Sequence, residues 1–111
     1  MKDQNLRQEM HNVIGANLTG ILDSENRQLR RGMEHYKNGE YADAILMFSG
    51  ALLHNPDNQV ARQAKRKAYI AQIDGHVNCG RLEIASDIQE YALKFDPTLK
   101  KDLAVYQLDS R

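Results

Sequence analysis

Residues 36–58 read YKNGEYADAILMFSGALLHNPDN, and their interpretation decides the fold. Gly39 stands near the start and Pro56 near the end. Between them Tyr41, Ala44, Ile45, Phe48, Ala51 and Leu52 recur at the three- and four-residue spacing of an apolar helical stripe. A glycine in that place ends a helix because it accepts positive φ, and a proline stops one helix or opens the next. The stretch is a turn, an amphipathic helix and a stop.

Shifted by 41 residues, the chain meets itself again. His35 falls on His76, Gly39 on Gly80, Ala44 on Ala85, Ala51 on Ala92, Leu52 on Leu93 and Pro56 on Pro97. The identities fall on residues with distinct physical jobs: turn glycines, small residues that let helices approach closely, and prolines at helix boundaries. The opening stretch is therefore the second half of a unit that recurs.

The rest of the pattern fits paired helices. Leu29, Gly32, Met33 and Tyr36 share one face of a helix that Gly39 ends. Val60, Ala64, Ala68, Ala71, Ile73 and Val77 lead into Gly80, and Leu82, Ala85, Ile88, Ala92 and Phe95 form the next stripe. Asp96 caps a last helix with Pro97 at its first position and Leu99, Leu103 and Tyr106 on its inner face. Upstream, Leu6, Met10, Val13, Leu18 and Ile21 keep helical spacing, with a break at IGAN. Two starts for the first repeat helix stay open: a fresh helix capped by Asp23 or Ser24, or one that begins near Leu18 and runs to Asn38. Short connections make neighbouring helices antiparallel.

These residues resemble the tetratricopeptide repeat. Gly32, Tyr36, Gly39, Tyr41, Ala44, Phe48, Ala51 and Pro56 stand where that family's pattern wants such residues, and Gly80, Leu82, Ala85, Ala92 and Pro97 fit in the second unit. Gln89 stands where the pattern has an aromatic and Ile73 where it has a small residue. The family's unit is 34 residues, so a 41-residue spacing implies about two extra helical turns in the first helix of the second unit. The resemblance covers residues 24–108. It implies an all-α, right-handed stack of antiparallel helix pairs: an N-terminal helical segment at 1–23, repeats at about 24–57 and 58–96, and a closing helix at about 97–108.

Composition narrows the function. The chain has 111 residues, suited to one small domain, with 41% hydrophobic and 27% charged residues and a net charge of zero. That balance argues against a dedicated nucleic-acid binder. The polar start MKDQNLRQEMHN has no apolar core of a secretory signal, and no run approaches the roughly 20 apolar residues of a membrane span. A soluble, cytoplasmic protein without a membrane partner is the expectation.

Nothing in the chain assembles catalytic chemistry. None of His11, His35, His54 and His76 is spaced i, i+4, so no metal site is expected. His35 and His76 occupy matching positions and read as polar-tipped packing residues rather than ligands. Cys79 ends a helix, where the dipole disfavours a thiolate, so it reads as a turn residue. The basic runs RQLRR and RQAKRK read as solvated helix surface. No cofactor and no enzymatic activity are expected.

What remains is shape. The resemblance implies a concave surface lined by first helices, here Leu29, Arg30, Met33, Tyr36 and Lys37, then Lys67, Ile70, Asp74 and Asn78. Such a surface suits a protein or peptide with an apolar anchor and an acidic group. Relatives that clamp a C-terminal carboxylate use two Asn residues where this chain has Met33 and Ala71, so that activity is not expected. The reading is a non-enzymatic interaction module: a scaffold, adaptor or chaperone-like binder. A self-assembling homo-oligomer, using Leu53, Ile84 and Tyr91, is the alternative, and nucleic-acid binding by the basic helices a distant third.

Overall fold

The turns that set the architecture are written into the backbone at two glycines. Gly39 has φ +78° and Gly80 φ +76°. Around Gly39 the amide of Glu40 donates to the His35 carbonyl (2.9 Å) and that of Gly39 to Tyr36 (3.1 Å). Around Gly80 the amide of Arg81 donates to His76 (2.8 Å) and that of Gly80 to Val77 (3.0 Å). Both are Schellman motifs, in which a left-handed residue satisfies the last carbonyls of one helix and reverses the chain.

The computed structural model describes residues 20–108, with side chains from Ser24 onward. The helices are α1 (Gly20–Lys37), α2 (Tyr41–His54), α3 (Gln59–Asn78), α4 (Leu82–Phe95) and α5 (Leu99–Leu103), followed by a 3₁₀ turn at Ala104–Tyr106. No strand occurs among the described residues, and no described helix is long and apolar enough to cross a membrane. The helix expected within 1–23 lies almost wholly outside the described residues. α1 is continuous across Asp23 and Ser24, so neither caps it. The closing helix is shorter than the expected 97–108.

The described residues divide into two compact units that part between Lys65 and Arg66. In the first, α1 packs against α2. Residues at about equal distances on either side of the Gly39 turn meet: Gly32 lies under the Phe48 ring, and Gly50 under the side chain of Gln28. That pattern is an antiparallel hairpin, and Gly32 is what lets it close, because a Cβ there would overlap the Phe48 ring. Leu29, Met33, Ala44, Phe48, Ala51, Val60, Ala61 and Ala64 are buried. Asn58 caps α3, its Oδ1 accepting the Ala61 amide at 3.0 Å.

In the second unit Ile73, Ala85, Ala92, Leu99 and Leu103 form the core, with Tyr69, Ile70, Val77, Ile88, Leu93, Tyr106 and Leu108 packed on it. The Tyr69 and Phe95 rings lie 6.0 Å apart. Leu82, expected in the buried stripe, is exposed, whereas Ser86 and Gln89 are buried. The stripe has rotated toward the 85–89–92 positions, so the first residue of α4 falls outside it.

α4 reproduces α2 at the 41-residue shift. Both are 14 residues long. The residues before them have φ, ψ of −90°, 69° (Glu40) and −88°, 67° (Arg81), and those after them −146°, 94° (Asn55) and −149°, 100° (Asp96). Both end in a side-chain turn: Asn55 Oδ1 accepts the Asp57 amide at 3.1 Å and Asp96 Oδ1 that of Thr98 at 3.0 Å.

Candidate functional site

The residues expected to line a binding surface divide by burial. Leu29 and Met33 are buried. Arg30, Lys37 and Asn78 are exposed, and Tyr36, Lys67, Ile70 and Asp74 are half-buried. On α1, Arg30, Glu34 and Lys37 keep one solvent face by their spacing. Tyr36 borders it and stacks edge-on with Tyr41 across the turn, ring centres 5.4 Å apart.

The corresponding face of α3 in the second unit carries its own covering. Tyr106 Oη donates to Asp74 Oδ1 at 2.9 Å, and Asn78 Nδ2 donates to Asp74 Oδ2 at 3.1 Å. Burial, together with the Asp74 carboxylate, pushes the Tyr106 phenol above its ordinary pKa, which keeps it the donor. Ile70 packs on the core. The reachable groups on this face are Lys67, Asn78 and the rim of Asp74.

Arg62, Lys65, Arg66 and Lys67 in the basic run of α3 are half-buried. Arg62 donates to the Pro56 carbonyl at 3.1 Å. Arg66 pairs with Asp96 and Thr98 and reaches Asp102 at 3.2 Å. Burial, then the neighbouring Arg62 charge, holds the Lys65 ammonium below its usual pKa. Arg27, Arg30 and Arg31 on α1 are exposed.

A cluster that spacing rules miss sits at the first turn. His35 Nδ1 lies 2.9 Å from Glu40 Oε1, and the ligand-type atoms of His35, Glu40 and Asp43 all fall within 4.8 Å of one another. The i, i+4 rule assumes a single helix. Here the residues straddle the Gly39 turn, whose 40-to-35 hydrogen bond brings them together. The signal in the sequence is HxxxGExxD, a histidine and two carboxylates around a helix-ending glycine.

Large apolar side chains also remain in solvent: Leu46 at 64% and Leu53 at 85% exposure, one above the other on α2, and Leu82, Ile84 and Tyr91 on α4. No family model, curated protein or solved structure matches the chain.

Proposed function

We propose that the chain is a non-enzymatic protein-interaction module of tetratricopeptide-like design, which binds a segment carrying an apolar anchor and acidic groups. The observation behind this reading is the recurrence, 41 residues on, of a glycine-ended helix pair with the same turn hydrogen bonds and the same cap dihedrals. A sequence that repeats a scaffold while changing its solvent-facing residues uses the scaffold to present a surface. The contacting residues in the first unit are Arg30 and Lys37, two turns apart on the same solvent face, with Tyr36 beside them, and in the second Lys67 and Asn78 beside Asp74. Selecting binders from a displayed peptide library and titrating them by fluorescence anisotropy tests the reading. Arg30→Glu with Lys37→Glu, both exposed, is expected to weaken a selected acidic peptide by tenfold or more with an unchanged melting profile. Undiminished affinity would remove these residues from the site.

A second reading, self-association, is favoured by Leu46 and Leu53 standing in solvent on one face of α2. Light scattering over a concentration series separates the two. A dimer abolished by Leu53→Lys supports self-association, and a monomer at all concentrations discards it.

A further inference from the structure

We infer that His35, Glu40 and Asp43 form a binding site for a first-row divalent transition metal such as Zn²⁺, built on the Schellman turn that ends α1. Two observations carry it. The first is the donor set and its spacing: one imidazole nitrogen and two carboxylates with ligand atoms within 4.8 Å of one another, a three-ligand complement that leaves further positions to water. Imidazole with carboxylates suits Zn²⁺, Co²⁺ or Ni²⁺.

The second comes from the molecule's other turn. At the 41-residue shift the equivalents are His76, Arg81 and Ile84. There Arg81 Nε donates to His76 Nδ1 at 2.9 Å. An arginine nitrogen can only donate, so the ring nitrogen presents its lone pair to a cation. The backbone is the same at both turns, with the 40-to-35 and 81-to-76 hydrogen bonds at 2.9 and 2.8 Å. In the second unit a guanidinium supplies that positive charge. In the first, Glu40 replaces the arginine and Asp43 the isoleucine, so the built-in cation is gone, the Glu40 carboxylate meets Nδ1, and a second carboxylate stands within 4.8 Å of the pair.

Metal binding converts the His35 ring to the tautomer protonated at Nε2. The Nδ1 lone pair then turns to the metal, and Glu40 passes from hydrogen-bond acceptor to ligand. Asp43, in the first turn of α2, closes the third position.

The test is titration of the purified full chain with Co²⁺, read by its visible absorption and by broadening of amide NMR signals, then competition by Zn²⁺. His11→Gln and His54→Gln stand as the background, which removes the other unassigned imidazoles. The expected result is one saturable site, with broadening centred on residues 35–43. His35→Gln, Glu40→Gln and Asp43→Asn should each weaken it by about tenfold or more. Arg81→Glu with Ile84→Asp should raise the stoichiometry from one to two. Thermal melts confirm folding of each variant, and Ile84 is already exposed. Absence of saturable binding, broadening centred elsewhere, or affinity indifferent to Glu40→Gln and Asp43→Asn would overturn the assignment.

Discussion

Arg66 pairs with Asp96 at the end of α4, and the equivalent positions 41 residues earlier are Glu25 and Asn55, which are also hydrogen-bonded to each other (3.3 Å). One repeat fastens the residue after its second helix with a cation on the first helix and an anion in the turn. The other does so with an anion on the helix and an amide in the turn. The fastening is kept while the sign of the helix partner is exchanged.

The Asp96 fastening makes stability depend on acid. The Thr98 hydroxyl (2.6 Å), with further hydrogen bonds from the Thr98 amide and Arg66, holds the Asp96 carboxyl below the usual carboxylate range against its partial burial. A carboxyl whose folded pKa is depressed stabilises the fold fully above its unfolded value, near 3.9, and that contribution is lost as pH falls through the folded pKa. Urea midpoints are expected to be level near neutrality and to fall below about pH 4. Asp96→Asn should lower the plateau by about 1–2 kcal/mol and flatten the acid limb. An acid limb identical to the parent's would show that Asp96 is not the linked group.

Positive φ at the two turns predicts matched losses. Beyond the adjacent residues, no atom lies within 4 Å of a Cβ built at Gly39 or Gly80, so substitution there meets backbone strain and no packing clash. Gly39→Ala and Gly80→Ala are each expected to cost about 1–2 kcal/mol, and Gly39→Asn and Gly80→Asn less, since asparagine tolerates the left-handed region. Denaturant unfolding checks this, and a neutral alanine at either turn would contradict it.

The helical glycines should behave in opposite ways. Gly32→Ala gains up to about 1 kcal/mol of helix propensity. It also forces a methyl into the buried Phe48 ring, an overpacking that costs about 1–3 kcal/mol, so a net loss is expected. Gly75 is exposed within α3 with open space at its Cβ, and Gly75→Ala should stabilise by about 0.5–1 kcal/mol. Phe48→Leu should relieve part of the Gly32→Ala loss, a coupling that a double-mutant cycle measures.

Much of this framework was legible in the residues. Gly39 and Gly80 declared their turns because only a left-handed position demands glycine between two helical patterns. Ala44, Phe48 and Ala51 declared the core of α2 by spacing. Periodicity shows which residues share a face but not whether protein or solvent covers it, so it does not separate the buried Leu29 and Met33 from the exposed Arg30 and Lys37 on the same helix. The Ile73 and Gln89 departures are explained as a pair. At the equivalent positions of the first unit, bulk lies on the second helix (Phe48) and none on the first (Gly32). In the second unit the bulk is on the first helix (Ile73) and a slender amide takes the aromatic's place (Gln89), both buried, so large and small change helices. The His35 cluster stayed hidden because its members belong to two helices, and single-helix ligand rules do not span a turn.

Asn58 gives the most discriminating prediction, because two demands meet on one side chain. As the cap of α3 it uses Oδ1, and by capping preference alone Asn58→Asp should be nearly neutral, the two residues being equivalent there. Its Nδ2, however, donates to the carboxylate of Glu25, a residue only 1% exposed. Asn58→Asp replaces that donor with a second buried acceptor and brings two anions together, so a loss of about 2–4 kcal/mol is expected in place of neutrality. Glu25→Gln in the Asn58→Asp background restores a donor facing the new carboxylate and should recover about half of the loss. Asn58→Ala should cost about 1–3 kcal/mol, since it forfeits the cap and leaves Glu25 short of a partner. If Asn58→Asp unfolds at the same denaturant concentration as the parent, the Glu25 carboxylate does not sit against residue 58, and the clasp between α1 and the start of α3 would have to be abandoned.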